Sequence, residues 1–310
     1  MEHLSKIERR KAIAALLTAV VLFASAFVAI RAIIVSGAYS PVETAAGRMF
    51  VAALSLAALI AVRRGISFPK GCDWIVFFAL GAGGQGLYQV LLGTGARSVD
   101  AGTAALLVSC SPILAAVLAV VFLGERMTWL GWLGTAIAFA GASVIAAAAG
   151  VSVHMSSGVL MVVFATLLWA SFQVGLKTVA GRYGVLELTF WPTFFAAIVL
   201  LPFSGSLPAA IASAPVSATV GLVWLGAVSS VGGFLAWSYA IRRLPVVVSS
   251  NALFGVPVAT FAIGLVALGE VPSPWAFLGG ALAIAGVSLA QTRGRHVALP
   301  VVAAEILEVG

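Results

Sequence analysis

Long apolar runs, each about the length needed to cross a bilayer, alternate along this chain with short polar breaks. A spanning helix needs about 20 mostly apolar residues. With charges, Pro and Gly taken as breaks, ten runs emerge, at 12–35, 42–62, 74–96, 101–123, 129–149, 158–180, 186–201, 218–241, 246–268 and 275–291. The connections are short, so no soluble domain is inserted between the runs. The seventh run is short, carries Pro192 and ends at Pro202. Residues 1–11 read as an N-terminal tail. After Gln291 the chain turns polar and then mildly apolar over too short a stretch to span, so 292–310 read as a second tail.

Composition points the same way. Only 9% of the 310 residues are charged, 17 Lys+Arg and 10 Asp+Glu, and 62% are apolar. A soluble domain carries about 25% charged residues, and a water-facing surface cannot be built from so few ions. Mean hydropathy is +1.15. The pattern predicts an all-α, multi-pass membrane protein and excludes a secreted disulfide scaffold, a disordered chain and an ordinary cytosolic enzyme. The net charge of +7 would suggest nucleic acid in a soluble chain, but here it is a loop bias. Cys72 and Cys110 have no His or Cys at metal spacing and read as free thiols. The basic start (Lys6, Arg9, Arg10, Lys11) and Ala24-Ser25-Ala26 resemble a signal peptide, yet the apolar run continues to Val35, so an uncleaved first span is expected.

The basic residues also orient the chain. With the N-terminus cytoplasmic, the inner segments hold Lys6, Arg9, Arg10, Lys11, Arg63, Arg64, Lys70, Arg126, Lys177, Arg182, Arg242, Arg243, Arg293 and Arg295, leaving only Arg31, Arg48 and Arg97 on the outer half. That satisfies the positive-inside rule, and an even number of spans puts both termini in the cytoplasm.

The second half repeats the first. Gly81-Ala82 and Gly226-Ala227, Pro112 and Pro257, Gly124-Glu125 and Gly269-Glu270, Gly134 and Gly279, and Gly141 with Ser143 and Gly286 with Ser288 are all 145 positions apart. Ala24-Ser25 and Arg31 match Ala170-Ser171 and Lys177 at 146. Tyr39 and Glu43 match Tyr183 and Glu187 at 144. So constant an offset marks a duplication: residues 12–149 and 158–291, five spans each. Two consecutive repeats with an odd number of spans enter the membrane from opposite sides. They are therefore expected to be inverted, with a substrate site near the midplane between them.

Ten spans, the five-plus-five repeat, a Pro in the fourth and ninth spans and Gly-Glu closing both resemble the drug/metabolite transporter superfamily, EamA type. Within it the chain looks most like bacterial amino-acid and metabolite exporters. The resemblance covers about residues 12–291. It implies a central cavity lined by spans one, three, four, six, eight and nine, with the other four packed outside.

The polar census argues against catalysis. His3, His154 and His296 lie in tails or a loop, and every Asp and Glu lies in a tail, a loop or near a span end. Hydrolytic and transfer chemistry needs such groups at working depth, so no enzyme, metal or cofactor is expected. Proton-coupled carriers place ionisable groups within the membrane. Their absence at midspan predicts an uncharged cavity and facilitative transport, with Glu43 near Arg48 or Arg31 the one exception, read as a snorkelling surface pair.

The candidate cavity residues are Gln85 and Tyr88 in span three, Ser109 in span four, Trp169 and Gln173 in span six, Ser230 and Trp237 in span eight and Asn251 in span nine. Amides in hydrocarbon must find a partner or water, so Gln85, Gln173 and Asn251 face inward as ligand contacts or as helix glue. Gln85 and Tyr88, at i and i+3, should share a face. Trp169 lies far from the interfacial belts where Trp concentrates and suits a cavity wall, whereas Trp74, Trp129 and Trp275 suit belt anchors. Pro112 and Pro257 are expected to kink spans four and nine as paired hinges, freeing the carbonyls of Val108 and Leu253. The expectation is an inner-membrane exporter of small neutral or zwitterionic metabolites, amino acids first and aromatic ones among them. It would work by alternating access as a pseudo-symmetric monomer, in contact with lipid and without nucleic acid. The alternative is a drug or lipophilic-cation efflux carrier, or a proton-coupled exchanger.

Overall fold

The computed structural model describes residues 6–63, 65–95, 107–148, 157–268 and 274–293. Among them the chain is helical, with no strand. Helix α1 is Lys6–Ser36 and α2 is Pro41–Arg63. The third predicted run is one continuous rod built from α3 (Asp73–Ala79), a π-helical segment (Leu80–Leu87) and α4 (Tyr88–Gly95). Then come α5 (Ser111–Leu123), α6 (Trp129–Ala148), α7 (Ser157–Val179), α8 (Val185–Leu200) and the short α9 (Leu207–Ser213). The eighth run repeats the build of the third, with α10 (Val216–Val223), a second π segment (Trp224–Gly232) and α11 (Gly233–Arg243). The ninth is broken into α12 (Val246–Asn251), a 3₁₀ turn (Ala252–Phe254) and α13 (Gly255–Leu268), and α14 is Pro274–Arg293.

Six of these stretches are long and apolar enough to cross a membrane: Lys6–Ile30, Pro41–Arg63, Asp73–Gly95, Ser157–Val179, Val185–Phe203 and Val216–Arg243. Shorter apolar helices at Ser111–Leu123, Trp129–Val144, Val246–Thr260 and Leu278–Ala290 fall within the fourth, fifth, ninth and tenth predicted runs. Large apolar side chains face outward as well as inward, unlike in a water-soluble protein, and a set of polar residues is sealed inside the apolar core. Leu54, Val121, Phe122, Leu160 and Phe164 are exposed, while Gln85, Gln173, Ser229, Ser230 and Asn251 are buried. Trp129 and Trp275 are exposed in the first turns of α6 and α14, where belt anchors belong.

Local chemistry sets the helix ends. Ser40 caps α2, with Pro41 next and Glu43 two residues further. The Ser40 amide donates to Glu43 Oε2 at 2.7 Å and the Glu43 amide to Ser40 Oγ at 3.2 Å, a reciprocal capping box. Glu43 is thus engaged at the end of its own helix, and among the described residues it makes no ion pair with Arg48; the Arg31 side chain lies outside the described residues. Glu125 does the same work between elements: its carboxylate accepts from the amides of Val246 at 2.7 Å and Val247 at 3.1 Å, satisfying the start of α12. Gly269-Glu270, its expected counterpart, lies outside the described residues.

Matching helix contacts recur in the two halves of the chain. Helix α1 packs on α11 and the second π segment, as α7 packs on α4 and the first. Helix α1 also packs on α13, as α7 does on α5, while α2 packs on the second π segment as α8 does on the first. Helices α6 and α14 lie along one another as the most extensive pair. Small residues allow this closeness: a β-carbon on Gly134 would lie 2.6 Å from the Ala290 amide nitrogen and 2.7 Å from the Gly286 carbonyl oxygen. Gly141 stands equally tight against Gly279 and Ala283.

Candidate functional site

The inner faces of α1, α4, α7 and α11 bring aromatic rings together at the middle of the bundle. Trp169 is 8% exposed. It stacks on Tyr88, with centroids 5.3 Å apart and planes 28° off parallel, and on Phe172, at 5.1 Å and 11°. Phe23 meets Trp169 edge-on at 6.3 Å and also approaches Phe234, at 5.6 Å, and Trp237, at 6.3 Å. The structure therefore brings Tyr88, Trp169 and Trp237 into one aromatic cluster, with Trp237 joined through Phe23. It adds Phe23, Phe172 and Phe234, which sequence alone could not separate from lipid-facing phenylalanines.

The polar residues divide into those already bonded and those left open. Gln85, 1% exposed, accepts a hydrogen bond from Thr193 Oγ1 of α8 at 3.1 Å, so it ties two helices together. It lies in the first π segment, whose i→i+5 bonds widen each turn beyond 3.6 residues. The α-helical rule that put Gln85 and Tyr88 on one face does not hold there. Asn251 donates through Nδ2 to Thr135 Oγ1 of α6 at 3.0 Å, which is also helix glue. Gln173 differs: it is fully buried, and neither its amide oxygen nor its nitrogen finds a partner among the described residues. The Trp237 Nε1 and the Ser249 hydroxyl are likewise sealed and unpaired. These three sit on α7, α11 and α12, which touch one another. An unpaired buried polar group costs about 1–3 kcal/mol, a cost that no protein partner among the described residues offsets for these three.

Ser109 and Pro112 mark a break rather than a kink. The helix ends at Val108, Ser109 and Cys110 form a turn, and α5 restarts at Ser111 with Pro112 in its first turn. Proline at that position lacks an N–H that has no intrahelical partner in any case, so the expected disruption of a continuous helix does not occur. The break's own carbonyl, on Leu107, accepts from the Cys110 amide at 3.0 Å and faces Thr166 Oγ1 of α7 at 3.4 Å. Pro257 likewise falls in the first turn of α13, just after the 3₁₀ turn at Ala252–Phe254.

The structure corrects the expectation of an uncharged interior. Arg48 is only 9% exposed, although the sequence reading left it on the outer half. Its Nε donates to Ser230 Oγ at 2.7 Å and its Nη1 to Gln89 Oε1 at 3.2 Å. Ser230 thus holds a buried cation. The signal was present: a charge well inside an apolar run is costly and marks function. Other charges tie helix ends together. Lys177 Nζ donates to the carbonyls of Ile241 and Leu244, both at 2.6 Å, at the end of α11. Arg182 pairs with Asp73 at 2.5 Å.

Comparison with known proteins gives a consistent result. The model of the EamA-like transporter family matches the chain twice, over residues 10–147 and 156–292. A probable terminal-alkyne amino-acid exporter of Streptantibioticus cattleyicolor is 40% identical over 283 residues, covering 91% of this chain and 94% of that protein. An uncharacterized transporter of Bacillus subtilis is 29% identical, covering 86% of each. A solved crystal structure aligns with a TM-score of 0.75 at 20% identity, covering 93% of this chain and all of the other, which speaks to the fold alone.

Proposed function

This chain belongs to the EamA-like transporter family, and from that premise we propose that it exports small zwitterionic amino acids, aromatic ones among them, by alternating access. It is a multi-pass membrane transporter rather than an enzyme. The observation that carries the substrate class is the Tyr88–Trp169–Phe172 stack, walled by Phe23 and Trp237, beside the unpaired amide of Gln173. Apolar and aromatic walls with a few polar groups suit a small organic solute. The relative named as a probable amino-acid exporter supports the same class. A lipophilic cation is disfavoured by Arg48, whose positive charge it would have to approach.

Alternating access is supported by the two family matches and by paired features at one spacing. The π segments at Leu80–Leu87 and Trp224–Gly232, and the breaks before Pro112 and Pro257, recur about 145 positions apart. The four shorter apolar helices complete ten spans as two inverted sets of five, 12–149 and 158–291. With the basic residues inward, both termini face the cytoplasm of a bacterial inner membrane. Among the described residues the buried charge is Arg48, and arginine does not give up its proton in proteins, so the gradient of the substrate itself drives export. The test is counterflow of labelled amino acids in liposomes holding the purified protein. Exchange that saturates with an amino acid and is blocked by unlabelled amino acid is expected. No exchange with any amino acid, alongside exchange of lipophilic cations, would overturn the reading.

A further inference from the structure

We propose that Arg48 is the carboxylate receptor of the transport site. This rests on the amino-acid export reading for its cargo, but on separate observations for its chemistry. A guanidinium buried in an apolar bundle is costly unless it is paired. Arg48 is buried, and both of its acceptors, Ser230 Oγ and Gln89 Oε1, are neutral. No carboxylate reaches it among the described residues. Glu43, on the same helix, is engaged with Ser40. Arginine carries five N–H donors in a fixed planar fork. Two are bonded, and Nη2 has no protein acceptor among the described residues. One edge of the fork is therefore without a protein partner among the described residues. A planar fork with a free edge fits a carboxylate, which it can bind in bidentate fashion.

The fold does not need this charge. In the other half, the place of Ser230 is taken by Gln85, 145 positions earlier, and the place of Arg48 by Pro192, 144 later. The two helix contacts are built alike. A β-carbon on Gly226 would press on the Arg48 carbonyl, as one on Gly81 would press on the Pro192 carbonyl. There the polar link is Thr193 to Gln85, wholly neutral. The same packing is thus achieved once with a cation and once without, so the cation answers to something other than packing.

Its position fits the cargo. Gln89 follows Tyr88 directly in the chain, and Ser230 lies four residues before Phe234, so both holders of the guanidinium stand on the two helical rods that also carry rings of the aromatic cluster. A carboxylate on Arg48 places the rest of an amino acid beside the Tyr88–Trp169 stack. The carboxylate is common to all amino acids and serves as the anchor. The rings then read the side chain.

The experiment uses the full chain in liposomes, exchanging labelled L-phenylalanine, with L-phenylalanine and L-phenylalaninamide as competitors. The two differ only in the carboxylate. Wild type is expected to prefer the acid at least tenfold. In Arg48→Gln that preference is expected to collapse to near unity, and in Arg48→Lys, which keeps the charge and loses the fork, to fall in between. Size-exclusion profile and melting temperature report folding. If Arg48→Gln does not fold, Gln89→Leu and Ser230→Ala, which free the guanidinium while leaving its charge, are expected to weaken the acid preference severalfold. Quenching of tryptophan fluorescence by phenylacetate, a carboxylate without an amine, reads the same site without transport. Phenylacetate binding that depends on Arg48, in a protein that exchanges no amino acid, would sink the export reading and leave the receptor standing. Folded variants that keep the wild-type acid preference and phenylacetate quenching would overturn the assignment.

Discussion

Phe23 meets Trp169 edge to face at 6.3 Å, with their planes 83° apart. The two residues lie 146 positions apart, at matching places in the two halves, so the aromatic centre is built where the halves face each other. Replacing Trp169 by Ala removes the rings' stacking partner, worth about 1 kcal/mol beyond its buried area. Apparent substrate affinity is expected to fall roughly fivefold, with folded protein retained. A variant holding Trp169 as its single tryptophan should change fluorescence on adding substrate. Unchanged counterflow by Trp169→Ala and Phe23→Ala would make these rings packing elements.

Transport is expected to need no proton gradient. Exchange rates should be unchanged by an imposed ΔpH or by a protonophore, because Arg48, the buried charge among the described residues, keeps its proton. Uphill accumulation that a protonophore abolishes would show that a proton is coupled.

Helices α6 and α14 should not tolerate side chains at their contact. The β-carbon added by Gly134→Ala would meet backbone atoms of Ala290 and Gly286 at 2.6 and 2.7 Å, and backbone has nowhere to go. Overpacking of this kind costs about 1–3 kcal/mol, read as a lower melting temperature in detergent. Gly205→Ala, with nothing within 4 Å of the new carbon, is the control expected to melt as wild type.

Glu125 should stabilise the start of α12 from outside it. Glu125→Ala leaves the Val246 and Val247 amides without their acceptor, a loss of about 1 kcal/mol by analogy with a helix cap. The expected readout is a lower melting temperature, together with faster hydrogen exchange confined to the first turn of α12. Unaltered exchange there would assign the cap elsewhere.

The breaks before Pro112 and Pro257 are expected to act as paired hinges. On a background lacking Cys72 and Cys110, single cysteines placed on either side of the two breaks should change labelling in opposite senses when substrate is added. Because Pro112 occupies a first turn, Pro112→Ala should fold with little change in stability and turn over more slowly. Wild-type turnover and labelling in both alanine variants would reduce the breaks to static bends.

The apolar, multi-pass character of the chain was legible because hydropathy is a local, additive property. A bilayer demands about 20 apolar residues in sequence whatever surrounds them. The duplication was legible because its spacing survives without coordinates. So was the inward position of Gln173 and Trp169, since a polar or indole group at mid-span has few other places to go. Phe23 and Phe234 were not legible, because a ring in lipid and a ring in a cavity contribute the same hydropathy. The pairing of Gln85 with Thr193 was missed because the π segment, which changes which residues share a face, is set by close helix contacts such as Gly81 on α8. Arg48 shows the division most plainly. Its charge and its place inside an apolar run stand in the chain, but whether it snorkels outward or turns inward depends on acceptors 41 and 182 residues away, Gln89 and Ser230. No local pattern encodes those distances. They exist only once the helices have packed.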